Sequence, residues 1–146
     1  MNQSENASDE PEQDEDSTRD LDPEPSGELT LQTLAMPRDT NANGDIFGGW
    51  LVSQMDLAAG IAMKRVARGR SVTVAINNVN FLYPVNVGST VSCYADVGEI
   101  GRTSAHIDIE VWIFNGGADE KLRKVADGQF VFVAIDDAGR TRPIPK

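Results

Sequence analysis

The sequence of 146 residues contains one cysteine and one histidine. Cys93 therefore has no second cysteine for an intrachain disulfide, and the sequence shows no cluster with metal-ligand spacing. Ser53 has no histidine nearby in sequence, and no serine lies in a G-x-S-x-G turn. No phosphate loop of the Walker or Rossmann kind is present either. These shortages argue against a Ser-His-Asp hydrolase and against a metal site.

The first 28 residues lack aromatic side chains, yet they hold eleven acidic residues and one basic residue. Residues 29–146 hold twelve of each sign, so the formal net charge of −10 comes from the N-terminal segment. A segment with a single leucine cannot bury enough apolar surface to offset its ordering entropy. The sequence therefore predicts a disordered acidic tail at residues 1–28 and one folded domain at residues 29–146.

A long uninterrupted apolar run and an excess of positive charge are also missing. The most apolar stretch, residues 49–68, is interrupted by Asp56, Lys64 and Arg65, so no membrane-spanning segment is predicted. The N-terminus has neither the basic nor the apolar region of a secretory signal. A folded part without net positive charge, joined to an acidic tail, disfavours nucleic acid binding. These features predict a cytoplasmic protein with no membrane and no nucleic acid partner.

Apolar spacing divides the folded part into one helix and five strands. Residues 49–68 have helical periodicity, end in basic residues and are followed by Gly69. The predicted strands cover residues 29–36, 71–83, 88–101, 102–114 and 121–136. The pattern predicts an α+β fold with a curved antiparallel sheet wrapped around one long central helix. The apolar helix should be enclosed by other structure, and segment 102–114 is expected to present an open sheet edge.

Three segments resemble the YciA-type acyl-CoA thioesterases of the hotdog-fold superfamily. They are PRDTNANGDIFGGWLVSQMDLAAGIAMKR, NFLYPVNVGSTV and GRTSAHIDIEVW, and the likeness runs from Leu29 to Ile135. The resemblance implies a hotdog fold and hydrolysis of acyl-CoA to a carboxylic acid and free coenzyme A, without a cofactor. It also implies a homo-oligomer: a dimer, with three dimers forming a hexamer and the active site straddling two subunits.

The loop NANGDIFGGW, residues 41–50, carries the predicted chemistry. Asp45 could be an ordinary turn residue or helix cap. However, it precedes Gly48 and Gly49, whose backbone N–H groups are free at a helix start, where the dipole favours negative charge. Thioester hydrolysis needs one group that activates water or attacks the carbonyl, and another that holds the oxyanion. The resemblance implies that Asp45 is the catalytic carboxylate and that amides near the glycine pair polarise the carbonyl.

Asp56 is a second catalytic candidate, because a carboxylate in an apolar helix must be hydrogen-bonded, paired or functional. Hotdog thioesterases of the phenylacetate-pathway kind place their catalytic acid at this distance after the glycine pair. The alternative is a structural acid that bonds loop amides or an asparagine such as Asn77 or Asn78. The two acids could also serve different roles in one site.

The GRTS segment, residues 101–104, could be a simple hairpin turn. The resemblance implies that it contacts the phosphates and pantetheine of coenzyme A, and its guanidinium and hydroxyl groups suit phosphate. The predicted substrate-binding residues are Asn43, Phe47, Asn80, Arg102, Thr103 and Ser104.

The remaining reactive side chains are predicted to have no catalytic role. Cys93 lies on the apolar face of its strand and is expected to fill the core. His106 lies on a polar face and is expected to be solvated. A hotdog dehydratase or hydratase is an alternative function, but those enzymes use a histidine near the helix, and this chain has none there. The alternative from another class is a non-catalytic acyl-CoA-binding module, which would not need Asp45.

Overall fold

The computed structural model describes residues 23–115 and 121–146, and this part of the chain forms one antiparallel sheet and one long helix. A 3₁₀ turn, Pro37–Asp39, precedes the helix. The elements are β1 (Glu28–Leu34), α1 (Gly48–Ala67), β2 (Ser71–Phe81), β3 (Thr90–Ile100), β4 (Ser104–Phe114) and β5 (Arg123–Ala134). This is the predicted α+β architecture, with each element close to its expected position.

The strands are ordered β1-β3-β4-β5-β2, and every neighbouring pair is antiparallel. The expectation that segment 102–114 forms an open edge is therefore wrong. β4 is the central strand and is hydrogen-bonded on both sides, whereas β1 and β2 lie at the edges. The error has a physical cause, because side-chain alternation predicts which face of a strand is buried but not which strands become its neighbours.

The helix α1 has 20 residues, so it is roughly 30 Å long and spans the inner face of the sheet. Its C-cap residue, Arg68, has a left-handed φ of 52° and donates its N–H to the Lys64 carbonyl. The residues buried against the sheet are Leu51, Met55, Ala58, Ala59, Ala62, Met63 and Ala67. The expected enclosure is incomplete in the single chain, since Leu57 is 56% exposed and Ile61 is 38% exposed.

The inner face of the sheet supplies the rest of the core. On β4, the buried side chains Ile107, Ile109 and Val111 alternate with polar ones that face outward. Cys93 is fully buried on β3, and burial raises the pKa of its thiol from 9.0 to about 12. A thiol with so high a pKa is a poor nucleophile, in agreement with the predicted role in the core. No helix in the described ranges is long and apolar enough to cross a membrane.

The chain packs onto the sheet before β1 begins. The Ser26 N–H donates to Glu110 Oε1 at 3.0 Å. Gly27 has a φ of +100°, and a methyl group on its Cα would lie 2.6 Å from the Ala95 carbonyl oxygen. Glu28, which was predicted to end the tail, pairs with Arg65 of the helix at 3.1 Å.

Candidate active site

Backbone hydrogen bonds hold the loop that leads into α1. Asn41 donates its N–H to the Asp45 carbonyl at 2.7 Å. Its side-chain oxygen accepts the N–H groups of Asn43 at 2.9 Å and of Asp45 at 3.2 Å. Gly44 completes the turn with a φ of +87°, which favours glycine. The backbone of Asp45 is thus fixed on both sides by one asparagine.

The Asp45 carboxylate itself is free to act on a ligand. The residue is exposed, and its side chain accepts no hydrogen bond from any described residue. The next two residues anchor the loop to its surroundings: Ile46 donates its N–H to the Val85 carbonyl at 3.1 Å, and Phe47 donates to the Asp39 carbonyl at 3.2 Å. An exposed carboxylate without a hydrogen-bond partner, on a fixed backbone, is suited to accepting a proton or attacking a nearby carbon.

The start of the helix provides hydrogen-bond donors beside this carboxylate. Phe47 is the N-cap residue and makes no side-chain cap. The first N–H groups of a helix have no intrahelical acceptor, so those of Gly48 and Gly49 are available to a ligand. The helix dipole adds a partial positive charge at this end. Glycine at both positions leaves the approach to these amides clear of Cβ atoms.

A groove of about 350 Å³ adjoins the helix start. Phe81, the last residue of β2, lies over the first helical residue, because a methyl group on Gly48 would be 3.2 Å from its Cζ. The hydrogen bond between Ile46 and Val85 joins the loop before the helix to the segment that follows β2. The lining residues are Ile46, Gly48, Leu51, Phe81, Leu82, Tyr83, Pro84 and Val85.

Asp56 lies eight residues beyond Gly48, about 12 Å further along the helix axis. It is half-buried, and its Oδ1 accepts the Thr73 hydroxyl of β2 at 2.7 Å. The alternative partners expected from the sequence, loop amides or the asparagines at positions 77 and 78, are therefore not the ones found. Within one chain, this pair is separate from the loop that carries Asp45.

The predicted substrate-binding residues divide into three locations. Asn43 and Phe47 are exposed in the loop itself, and Phe47 packs over Gly49. Asn80 lies on the outer face of the sheet, opposite to Phe81. Its amide donates to Asp127 Oδ1 at 3.0 Å, and a hydrogen bond from Lys124 to the same carboxylate raises the pKa of that lysine.

The turn at residues 101–104 lies at the far end of the sheet. Ser104 pairs with Val133, close to where Ser71 begins β2. β2 has 11 residues, so roughly 36 Å separates this end from the Asp45 loop. Arg102 is exposed, and its carbonyl accepts the Ile144 N–H at 2.7 Å. A single chain therefore does not bring Arg102, Thr103 and Ser104 to Asp45.

Comparison with known proteins places this geometry in a family. The family model described as Thioesterase superfamily matches residues 43–119. The acyl-CoA thioester hydrolase YciA of Salmonella typhimurium is 50% identical over 127 residues, which are 86% of this chain and 96% of that protein. The chain belongs to the YciA-type acyl-CoA thioester hydrolases.

Solved structures agree with this membership. The hexameric thioesterase y2039 from Yersinia pestis is 50% identical with a TM-score of 0.78, and the match covers 84% of this chain and 98% of that one. Cj0915, a hexameric hotdog fold thioesterase of Campylobacter jejuni, is 36% identical with a TM-score of 0.77, covering 82% and 91%. The predicted hotdog fold and the predicted thioesterase family are thus confirmed.

The position of the histidine and the grouping of possible metal ligands bear on the other functions considered for this YciA-type chain. His106 is half-buried on the outer face of β4, since its neighbour Ile107 points into the core, so the imidazole is remote from the helix start. The described residues contain no group of three or more His, Cys, Asp or Glu side chains that could hold a metal ion.

Sequence reasoning overlooked two residues of this region. Asn41 organises the Asp45 turn, and its signal is an asparagine two residues before another turn residue. Asp39 is buried, and its Oδ2 accepts the Met36 N–H at 3.1 Å while its carbonyl holds Phe47. Its signal is an acid at the third position of a turn that begins with proline.

Proposed function

We propose that this thioester hydrolase cleaves acyl-CoA with Asp45 as the catalytic carboxylate and the amides of Gly48 and Gly49 as the oxyanion donors. The observation that carries this assignment is the juxtaposition in one short loop: a carboxylate without a partner among the described residues lies three residues before the first residue of a glycine-initiated helix that has no side-chain cap. The products are a carboxylic acid and free coenzyme A.

The reaction has two possible courses at this site. In the first, Asp45 removes a proton from water, the hydroxide attacks the thioester carbon, and the oxyanion is held by the helix-start amides. In the second, the carboxylate attacks the carbon and forms an anhydride, which water then hydrolyses. In both, the C–S bond breaks as the tetrahedral intermediate collapses, and the coenzyme A thiolate leaves and takes up a proton.

Asp56 would have a structural role in its own chain, holding the helix in place, and would not act on the substrate bound there. Its Oδ1 is occupied by the Thr73 hydroxyl, which ties the middle of the helix to the edge strand. Its second oxygen remains for a water molecule or for the substrate bound to a neighbouring subunit.

Homo-oligomerisation would complete the site. β2 is an edge strand with exposed apolar side chains, among them Val74 at 55% and Ile76 at 44% exposure. Leu57 of the helix is also exposed. Unpaired, apolar edges are seldom left open to water. Antiparallel pairing of two β2 edges about a two-fold axis covers them, and three such dimers would give the hexamer described for the solved relatives.

Pairing of two β2 strands would also bring the turn at residues 101–104 of one subunit close to Asp45 of the other. Because a two-fold axis sets the start of one β2 beside the end of the other, the partner subunit's Arg102 approaches this chain's Asp45 loop. Coenzyme A phosphates bound by the partner's turn could then place the thioester at Gly48.

Light scattering at micromolar concentration tests the oligomer and should give the mass of a dimer or of a multiple of it.

Replacing Asp45 with asparagine tests the catalytic assignment. The side chain makes no hydrogen bond within the described residues, so Asp45→Asn should leave the loop and the melting temperature nearly unchanged. Thiol release from acyl-CoA should fall by about two to four orders of magnitude, the range for a lost general base or preorganised group.

Asp96→Asn, on the outer face of β3, is the matched control and should retain full activity. A fully active Asp45→Asn enzyme would move the catalytic role to Asp56. Binding of acyl-CoA by the wild-type protein without thiol release would instead favour the non-catalytic binding module.

A further inference from the structure

The turn before Asp45 contains an exposed Asn-Gly pair, Asn43–Gly44. We propose that Asn43 is a site of spontaneous deamidation, that Asn41 limits the rate of this reaction by holding the turn closed, and that the modified enzyme loses thioesterase activity. The loss of activity rests on the proposed function, since it takes Asp45 as the catalytic carboxylate. The modification itself depends only on the turn.

Deamidation requires the backbone nitrogen after the asparagine to reach the side-chain carbon. The Gly44 nitrogen gives its proton to a base in the solvent and forms a bond to Asn43 Cγ, and the Cγ–Nδ2 bond breaks as ammonia leaves. The intermediate is a cyclic imide between the two residues. Water then opens one of the two imide carbonyls, so residue 43 becomes aspartate or isoaspartate. The net change is the loss of one ammonia and the gain of one water.

The surroundings of Asn43 favour this reaction. The residue is exposed, and its carboxamide makes no hydrogen bond to any described residue, so Cγ is open to attack. The attacking nitrogen belongs to a glycine, which has no Cβ to block its approach. A methyl group built on Gly44 would meet no atom within 4 Å, so there is space for the ring to close.

Asn41 holds the turn in a form that opposes the reaction. Its carbonyl accepts the Gly44 N–H at 3.1 Å, so the attacking nitrogen is itself hydrogen-bonded. Its side-chain oxygen accepts the N–H groups on either side of that glycine, from Asn43 at 2.9 Å and from Asp45 at 3.2 Å. The Gly44 nitrogen reaches Cγ only when the turn opens locally. The contacts of Asn41 therefore set the rate.

Either product alters the loop that carries Asp45. Isoaspartate routes the main chain through the former side chain, which lengthens it by one carbon. The hydrogen bond of 2.7 Å from the Asn41 N–H to the Asp45 carbonyl spans this segment and cannot keep its geometry. Aspartate keeps the main chain but adds a negative charge two residues from the catalytic carboxylate. Because a shift of about 1 Å at a catalytic group costs up to roughly a hundredfold in rate, the isoaspartate form should lose about tenfold or more in kcat.

Asn86 is a matched comparison within the same chain. It is also exposed in a turn, where its carbonyl accepts the Ser89 N–H at 3.2 Å, and its side chain makes no hydrogen bond to a described residue. The difference is the next residue, Val87, whose branched side chain crowds the backbone nitrogen. Asn86 should therefore stay unmodified while Asn43 converts.

The experiment incubates the purified enzyme in mildly alkaline buffer and follows two quantities with time. Mass spectrometry of tryptic peptides measures the converted fraction at each asparagine, and thiol release from one acyl-CoA measures kcat. Conversion is expected at Asn43 and not at Asn86, and kcat should fall as the converted fraction at position 43 rises.

Variants of Asn41 test its control of the rate. Asn41→Ala removes the acceptor of two N–H groups and should raise the rate of conversion at Asn43 about fivefold or more. Asn41→Asp keeps an acceptor oxygen at the same place and should stay near the wild-type rate. If Asn41→Ala does not fold, Asn41→Gly, which also lacks the acceptor, takes its place.

Variants at the two Asn-Gly pairs test the link to activity. The other pair is at residues 115 and 116, and Asn115 Oδ1 accepts the Ser89 hydroxyl at 2.5 Å. Asn43→Gln disfavours ring closure because its side chain is longer, so its kcat should hold at its own starting value during incubation. Asn115→Gln should lose activity as fast as the wild type.

Each part of the proposal has its own refutation. Conversion at Asn43 no faster than at Asn86 overturns the modification site. A wild-type rate of conversion in folded Asn41→Ala or Asn41→Gly overturns the role of Asn41. Loss of kcat in Asn43→Gln at the wild-type rate overturns the link to activity. Fresh wild-type enzyme that releases no thiol from any acyl-CoA overturns the proposed function instead, and the mass measurement at Asn43 is unaffected by that outcome.

Discussion

Asp39 is expected to position the catalytic loop although it does not touch the substrate. Its Oδ2 accepts the Met36 N–H at 3.1 Å, and its carbonyl accepts the N–H of Phe47, the residue before the proposed oxyanion amides. Asp39→Ala leaves the partly buried Met36 N–H without an acceptor, which costs about 1–3 kcal/mol. Arg38 adds little, because it is 82% exposed and lies 3.9 Å away.

These contacts predict two separate effects of Asp39→Ala. A loss of about 1–3 kcal/mol lowers the melting temperature by roughly 4–12 °C for a domain of this size. Turnover should fall about tenfold to a hundredfold, because a shift of the Phe47 backbone moves the oxyanion amides out of line with Asp45. KM should change little, since Asp39 is buried beneath the loop.

The assay combines thermal unfolding with steady-state kinetics on one acyl-CoA. Asp39→Asn keeps a side-chain oxygen that can accept the Met36 N–H, so it should recover most of the turnover and stability. Ile109→Val is the matched control for stability, because it removes a buried methylene far from the loop at a cost of about 0.5–1.5 kcal/mol.

A particular pattern would refute the positioning role. If Asp39→Ala lowers the melting temperature but leaves kcat as high as in Ile109→Val, the residue is only structural. If neither quantity changes, the hydrogen bond to Met36 does not hold the turn.

Two further predictions concern the assembly and the tail. Val74→Lys puts a charge on the β2 edge, so the mass measured by light scattering should shift towards the monomer and activity should be lost. Leu29→Lys, on the other edge strand, is the control and should change neither quantity. An unchanged mass for Val74→Lys would exclude β2 pairing. Deletion of residues 1–22 should leave fold, assembly and activity unchanged, and deletion of residues 1–27 should add only a loss of about 1 kcal/mol or less, from the Ser26 bond to Glu110. An unfolded or dissociated product of either deletion would show that the tail is part of the domain.

The candidate site was only partly readable from the sequence. The composition of residues 41–50 predicted a turn and a helix start, and the family resemblance added the prediction that Asp45 and the glycine pair are catalytic. The partner of Asp56 was not readable, since the Thr73 hydroxyl comes from a strand 17 residues away along the chain. The sequence did not reveal the contacts of Asp39 either, because an aspartate in a turn is common and only the structure shows that this one is buried.

By itself, the sequence determined the elements of this protein and their buried faces. The 3.6-residue period at residues 48–67 specifies a helix, and the alternation along β4 specifies which side chains enter the core, because both are properties of adjacent residues. Only the tertiary structure decided that β4 is central and β2 is an edge, that Phe81 lies over Gly48, and that Arg102 is remote from Asp45 in one chain. Those relations depend on which distant strands pair, and strand pairing is selected by the packing of the whole sheet around the helix rather than by any one segment.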